Sequence, residues 1–252
     1  MKYLLYIFLF FLGSVSAQNE KYFEQGNTLY NQGKYAEALS RYEAILKTNE
    51  HSAELYFNIA NAHYKLNHIA PSVYYYEKAL ALKPNDKDIK NNLSFANNMR
   101  VDAIDNLPEV GLSKFVKNFA NIMSFDAWAK VSIGLVVLFV LLYLAYYFTY
   151  TTGKKRLLFI SSTLSVFLAF IALAFTFYNY NLTRQNNPAI VFAQEAQVKS
   201  EPNLRSDEAF VLHEGTKVQV LDTVNNWKKI KLSDGKTGWI PNSDIKLLDI
   251  FY

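Results

Sequence analysis

Cysteine is absent from all 252 residues. That excludes disulfides, thiolate nucleophiles and a lipid-modified cysteine anchor, so any exported domain must hold its fold without cross-links. Histidine is scarce: the four, His51, His63, His68 and His213, form no H-E-x-x-H pair and no ligand cluster with a carboxylate. His63 and His68, five apart, fall on different sides of a helix. No G-x-x-x-x-G-K-[ST] phosphate loop and no G-x-S-x-G elbow occurs, and Gly235-Lys236-Thr237-Gly238 reads as a hairpin turn. These absences leave no metal site, cofactor or catalytic residue to name, and the chain is read as a non-enzyme.

Charge is missing from two long stretches. Residues 131–148 and 157–177 contain no Asp, Glu, Lys, Arg or His. Each is long enough to cross a hydrocarbon core of roughly 30 Å as a helix. The short loop between them carries Lys154, Lys155 and Arg156, which the positive-inside rule places in the cytoplasm. Two spans in tandem put whatever precedes and follows them on the same, outer side. With no charge inside the spans there is no proton relay or ion path, and they read as an anchor. Trp128 would mark the outer interface and Tyr146, Tyr147 and Tyr150 the inner one. Ser132, Ser161, Ser162, Thr163 and Ser165 are read as packing the hairpin.

The start of the chain agrees. Lys2, the apolar run 3–12 and Val15-Ser16-Ala17 have the layout of a secretory signal peptide over 1–17; an uncleaved anchor would leave the topology unchanged. Segment 18–105 carries ten Lys/Arg against eleven Asp/Glu, segment 184–252 nine against nine, and 106–183 six against two. The net charge of +4 is therefore a membrane-topology signal, and neither soluble segment is a nucleic-acid surface.

At an offset of 34 residues, Tyr22, Gly26, Tyr30, Ala38, Tyr42 and Leu46 recur as Tyr56, Ala60, Tyr64, Ser72, Tyr76 and Leu80. Large and small residues alternate at helical spacing, as when helices nest with a small residue at the close approach. This resembles the tetratricopeptide repeat (TPR) family, with Pro84 at the usual close of the second copy. The expected domain, an α-helical TPR solenoid, spans 18–105: repeats 19–52 and 53–86 and a capping helix 87–104. The first helix of each pair faces inward, putting Asn27, Tyr30 and Asn31 beside Asn58, Asn61 and Tyr64 in a partner-binding groove. An Asn amide donates and accepts at once, so it can read an extended peptide backbone; alternatively these residues cap or cross-link neighbouring helices. TPR modules that grip a C-terminal carboxylate set Lys and Arg beside two such Asn. Asn27 and Asn58 fit, but Phe23, Asp88 and Asn92 stand where the cations would be, so the resemblance implies backbone reading.

Residues 106–127 read as a linker broken by Pro108 and Gly111, followed by an amphipathic helix. Leu112, Phe115, Val116, Phe119, Ile122 and Met123 share one face of it, suited either to the headgroup region or to packing against the repeat. The spans are expected at 128–150 and 157–178, with the loop at 151–156 and a polar linker at 179–188. Beyond it the period switches to two. Strands around 210–212, 218–221, 227–232 and 238–240 are separated by turns at 213–215, Asn225-Asn226 and Asp234-Gly235. The order Gly215-Thr216, Trp227-Lys228-Lys229-Ile230, then 234–240 resembles bacterial SH3-like domains, implying a small β-barrel over 189–252. Its candidate surface is Trp227, Pro241 and Asp244. Asp244 replaces the groove Tyr of eukaryotic relatives, so a Pro-rich ligand is not implied. Trp227 reads equally as core, and Trp239 is read as core.

Signal peptide, two TPRs, hairpin and SH3-like domain in this order resemble the E-type proteins of the Bacteroides aerotolerance (Bat) operon. That resemblance implies a scaffold at the inner membrane with TPR and SH3-like domains in the periplasm. It also implies membrane partners bearing von Willebrand A domains and, indirectly, a MoxR-type ATPase. From the residues alone two functions stand: a protein–protein scaffold working through the TPR groove, or a cell-wall tether binding peptidoglycan through the SH3-like domain.

Overall fold

A computed structural model of the chain describes residues 18–104 and 111–248. The expected signal peptide (1–17) and most of the Pro108 linker lie outside them. The chain divides into two compact units: one joins the segment up to Asn106 with the segment from Asn187 onward, and the other is Leu107–Asn186.

In the first unit, α1 (18–31), α2 (Tyr35–Leu46), α3 (Ala53–Lys65), α4 (Ile69–Leu82) and α5 (Lys87–Asn97) follow the 34-residue repeat. Two starts are fixed by side-chain caps: Ser52 accepts from Leu55 N at the head of α3, and Asp86 accepts from Asp88 N and Ile89 N at the head of α5. The small positions sit where helices touch. Ala38 is fully buried in the cluster of Tyr42, Leu55 and Ile59, and Ala79 in that of Tyr56 and Ile89. Ser72, in the place of Ala38, is accommodated because its hydroxyl donates to Ala60 O at 3.2 Å.

α5 ends at Asn97, short of the expected 104. Residues 98–104 leave the helix and run to the sheet, where Ile104 joins its core. The sheet has seven antiparallel strands: β1 (Pro188–Val191), β2 (Glu195–Lys199), β3 (Glu208–His213), β4 (Lys217–Val224), β5 (Trp227–Lys231), β6 (Thr237–Pro241) and β7 (Ile245–Leu247), in the order β3-β2-β6-β5-β4-β1-β7. Every strand contributes to one buried cluster, including Ala189, Val198, Leu212, Val220, Ile230, Ile240 and Ile245. A sheet whose two end strands share a core is rolled around it, as the SH3-like reading requires. Strands β1, β2 and β7 carry weak period-two signals. β1 is buried at all four positions, so it does not alternate, β2 has only Ala196 and Val198 inward, and β7 is three residues long.

The second unit holds α6 (Leu112–Ala120), α7 (Phe125–Phe148) and α8 (Thr152–Gln185). α7 and α8 form a hairpin, and both are long and apolar enough to cross a membrane. The loop is shorter than expected: Lys154, Lys155 and Arg156 already lie within the first five residues of α8. The polar stretch at 179–185 is the last part of the same helix rather than a linker. Asn179 explains this. It is buried and donates to Ala120 O at 2.8 Å and Met123 O at 3.1 Å, satisfying carbonyls that the end of α6 leaves open. Trp128, near the start of α7, is buried. Its Nε1 donates to Ala120 O at 2.9 Å, and its ring stacks on Phe175. Two of the serines pair the helices: Ser132 donates to Ala169 O and Ser165 to Leu135 O.

Candidate partner-binding surfaces

The asparagines of the repeat form a ladder. Asn27 Oδ1 accepts from Tyr42 Oη at 2.8 Å and from Asn58 Nδ2 at 2.9 Å. One repeat on, Asn61 Oδ1 accepts from Tyr76 Oη at 2.5 Å and from Asn92 Nδ2 at 2.9 Å. Each carboxamide oxygen thus links three helices and satisfies a buried phenol. Burial, with Tyr30 nearby, pushes the Tyr42 hydroxyl up to about 12, so it stays a donor. The cross-linking role weighed for these residues is present. It leaves Asn27 Nδ2 and Asn58 Oδ1, with their counterparts on Asn61 and Asn92, making no bond among the described residues. Of the other groove candidates, Asn31 is exposed and Tyr30 is half-buried, edge-on to Tyr35 at 5.1 Å. Tyr64 is half-buried against the cluster of Val73 and Tyr76.

His63 and His68 are not apart. α3 ends at Lys65, so helical spacing stops applying, and the turn through Asn67 (φ 59°) brings the two Nδ1 atoms to 3.2 Å. Burial, and secondarily repulsion from His68, lowers His63 to about 4. His63 also stacks on Tyr75, and no group of three or more metal-ligating side chains occurs among the described residues.

On the barrel, Trp227 pairs with Pro241 and Lys229 with Trp239 across β5 and β6. Gly238 and Ile240 are buried on the core side, so Trp239, between them, faces outward. The core role expected for it is corrected by this alternation. Trp227 lies on the same outer face and is likewise outside the buried cluster. Lys229 Nζ stands 6.0 Å from the Trp239 ring. Asp244 is half-buried one short turn beyond Pro241; its carboxylate accepts from Ser243 Oγ, and its carbonyl accepts from Phe192 N and Ala193 N.

The repeat and the barrel are docked, which the sequence did not signal. Ile190 and Leu248 enter the cluster of Ala70, Val73, Tyr74, Leu93 and Ala96. Phe192 packs edge-on to Tyr74 at 5.7 Å, under Lys246. Lys217 pairs with Glu77 at 2.7 Å. At the centre is Asp102, whose carboxylate accepts from His213 N (2.7 Å), Thr216 Oγ1 (2.6 Å) and His213 Nδ1 (2.8 Å). Burial acts to raise the Asp102 carboxyl, but these hydrogen bonds outweigh it and hold the group below its ordinary value. Asp102 lies in the segment read as capping helix, where nothing marks a carboxylate as a docking group.

Residues 23–87 match the tetratricopeptide repeat family and residues 195–246 the bacterial SH3 domain family. No curated protein matches the chain. The chain thus joins an N-terminal helical TPR region, a hairpin of two long apolar helices and a C-terminal antiparallel SH3-like domain, and both matched domains are interaction modules rather than catalytic ones.

Proposed function

We propose that the protein is a membrane-anchored interaction scaffold whose TPR groove holds an extended segment of a membrane partner. One observation carries this reading. The repeat precedes the hairpin and the barrel follows it, yet the two share a docked core through Asp102, Ile190 and Leu248. Two domains that touch must lie on one side of the membrane, which two crossings by α7 and α8 allow. The basic cluster Lys154, Lys155 and Arg156 favours a cytoplasmic hairpin tip, hence a periplasmic repeat and barrel at the inner membrane. The domain order supports a role of the E-type Bat kind, with von Willebrand A-domain membrane proteins as partners and a MoxR-type ATPase acting indirectly. The exposed apolar side chains Phe115, Ile122 and Met123 around α6 suit a helix lying in the headgroup layer.

Cross-linking of the tagged full-length protein in membranes, read by mass spectrometry, tests this. Cross-links from Lys21 and Lys65 to membrane proteins with an exported segment are expected. Cross-links confined to barrel lysines would overturn the groove reading. The outer-face group of Trp227, Trp239 and Pro241 favours a second reading, a peptidoglycan contact. Retention of the full chain on purified sacculi, lost in Trp227→Ala, would support it. The full chain is needed because the barrel alone would expose Ile190, Phe192 and Leu248.

A further inference from the structure

The repeat carries two pockets in equivalent places. The one at the second junction is walled by Ala53, Glu54, Phe57, Asp88 and Ile89, holds Lys83, and has a volume of about 90 Å³. The one at the first junction is walled by Asn19, Glu20, Phe23, Glu50, Glu54 and Leu55 and has a volume of about 200 Å³. A shift of 34 residues carries Asn19, Glu20, Phe23, Glu54 and Leu55 onto Ala53, Glu54, Phe57, Asp88 and Ile89. The difference is a cation. Lys83 forms an ion pair with Glu54, whereas the residue 34 positions before Lys83 is Asn49. No Lys or Arg lines the first pocket.

Asn19 gives an independent sign of a missing donor. It is 3% exposed, and its Nδ2 donates to Thr48 Oγ1 at 2.7 Å and Glu50 Oε2 at 2.5 Å. The Thr48 hydroxyl proton is committed to Ile45 O, so Thr48 Oγ1 accepts here, as a carboxylate must. The two contacts fix which way round the amide lies. Asn19 Oδ1 is then a buried acceptor with no hydrogen-bond partner among the described residues, a state native interiors rarely leave uncorrected.

We propose that the first-junction pocket is a subsite for a lysine or arginine side chain of the partner segment, a proposal that rests on the TPR groove being the partner site. The aliphatic stem lies along Phe23 and Leu55, and the charged head donates to Asn19 Oδ1 beside Glu20 and Glu50. A long basic side chain can bury its stem in this way while keeping its charge satisfied. One repeat later the chain's own Lys83 lines the equivalent pocket and pairs with Glu54, the counterpart of Glu20.

The test uses the full chain in detergent micelles and two fluorescein-labelled, C-amidated Gly-Ser-Gly-X-Gly-Ser peptides, with X lysine or norleucine, titrated by anisotropy. The lysine peptide is expected to bind about tenfold tighter, the scale of one charge-assisted contact. That advantage should fall to about twofold or less in Glu20→Gln/Glu50→Gln, with Glu20→Gln alone, at an exposed position, intermediate. Gln at position 50 retains an acceptor for Asn19, and an unchanged melting curve verifies the fold. Equal binding of the two peptides, no binding of the lysine peptide, or an undiminished preference in the double variant overturns the subsite. Equal binding leaves the groove itself standing, since the membrane cross-links decide that separately.

Discussion

Single side chains in the repeat do work that their sequence positions only half announce. Gly26 was legible as the small partner of a large residue, and the structure gives the reason: a Cβ there would lie 2.4 Å from the Tyr42 ring. Gly26→Ala should therefore destabilise the repeat by about 1–3 kcal/mol, read as a lower denaturation midpoint. His63 makes a pH prediction. Its folded value, about 4, lies below the ordinary 6.5, so the unfolded chain takes up the proton first. The contribution of neutral His63 is complete above pH 6.5 and is lost as pH falls towards 4. Between pH 7 and 4.5 the melting temperature of the wild type should fall further than that of His63→Gln. Equal falls would mean that His63 does not titrate as its burial demands. The pairing with His68 was invisible in the sequence because helical spacing was applied across a helix end.

At the scale of elements, the hairpin was plain in the sequence because two uncharged runs of this length have few other uses. Its internal bonds were not, since a serine in an apolar helix reads the same whether it turns to its own backbone or to a neighbour's. Ser162 donates to Phe159 O in its own helix, whereas Ser132 and Ser165 donate across the hairpin. Ser132→Ala with Ser165→Ala should weaken the hairpin by about 1 kcal/mol in total, given about 0.6 kcal/mol per such bond. Ser162→Ala should be silent. The midpoint of detergent-induced unfolding distinguishes them. The length of α8 was misjudged for a related reason: Asn179 reads as the start of a polar linker, but its amide is consumed by the α6 carbonyls.

At the scale of the molecule, the Asp102 contact decides whether repeat and barrel behave as one body. Asp102→Ala leaves His213 N and Thr216 Oγ1 without their acceptor and should cost about 2–4 kcal/mol. Hydrogen exchange measured on the full chain should show β1 and β7, which border the repeat, losing protection ahead of β4 and β5. Uniform loss would mean that the docked face does not depend on Asp102. The folded Asp102 value is below its ordinary 3.8, so its contribution is complete above that pH and is lost as pH falls through the lower folded value. Gly215, at φ 85°, packs against the repeat so closely that a Cβ would stand 2.9 Å from Ile69 Cγ2 and 3.1 Å from Arg100 Cγ. Gly215→Ala should loosen the same face by about 1–3 kcal/mol.

The sequence by itself determined the kinds of element and their order. A 34-residue period, two charge-free runs and alternating short strands are local patterns, and each reports the burial of one face of one element. Tertiary structure decided which faces meet. The Asn27–Asn58 and Asn61–Asn92 pairs span 31 residues, the Asp102–Thr216 bond spans 114, and Asn19 is orphaned only because Thr48 and Glu50 take both its protons. Hydrogen bonds are directional and short, so a partner far along the chain leaves no period behind it. A hydrophobic face does, because burying it takes a whole row of residues.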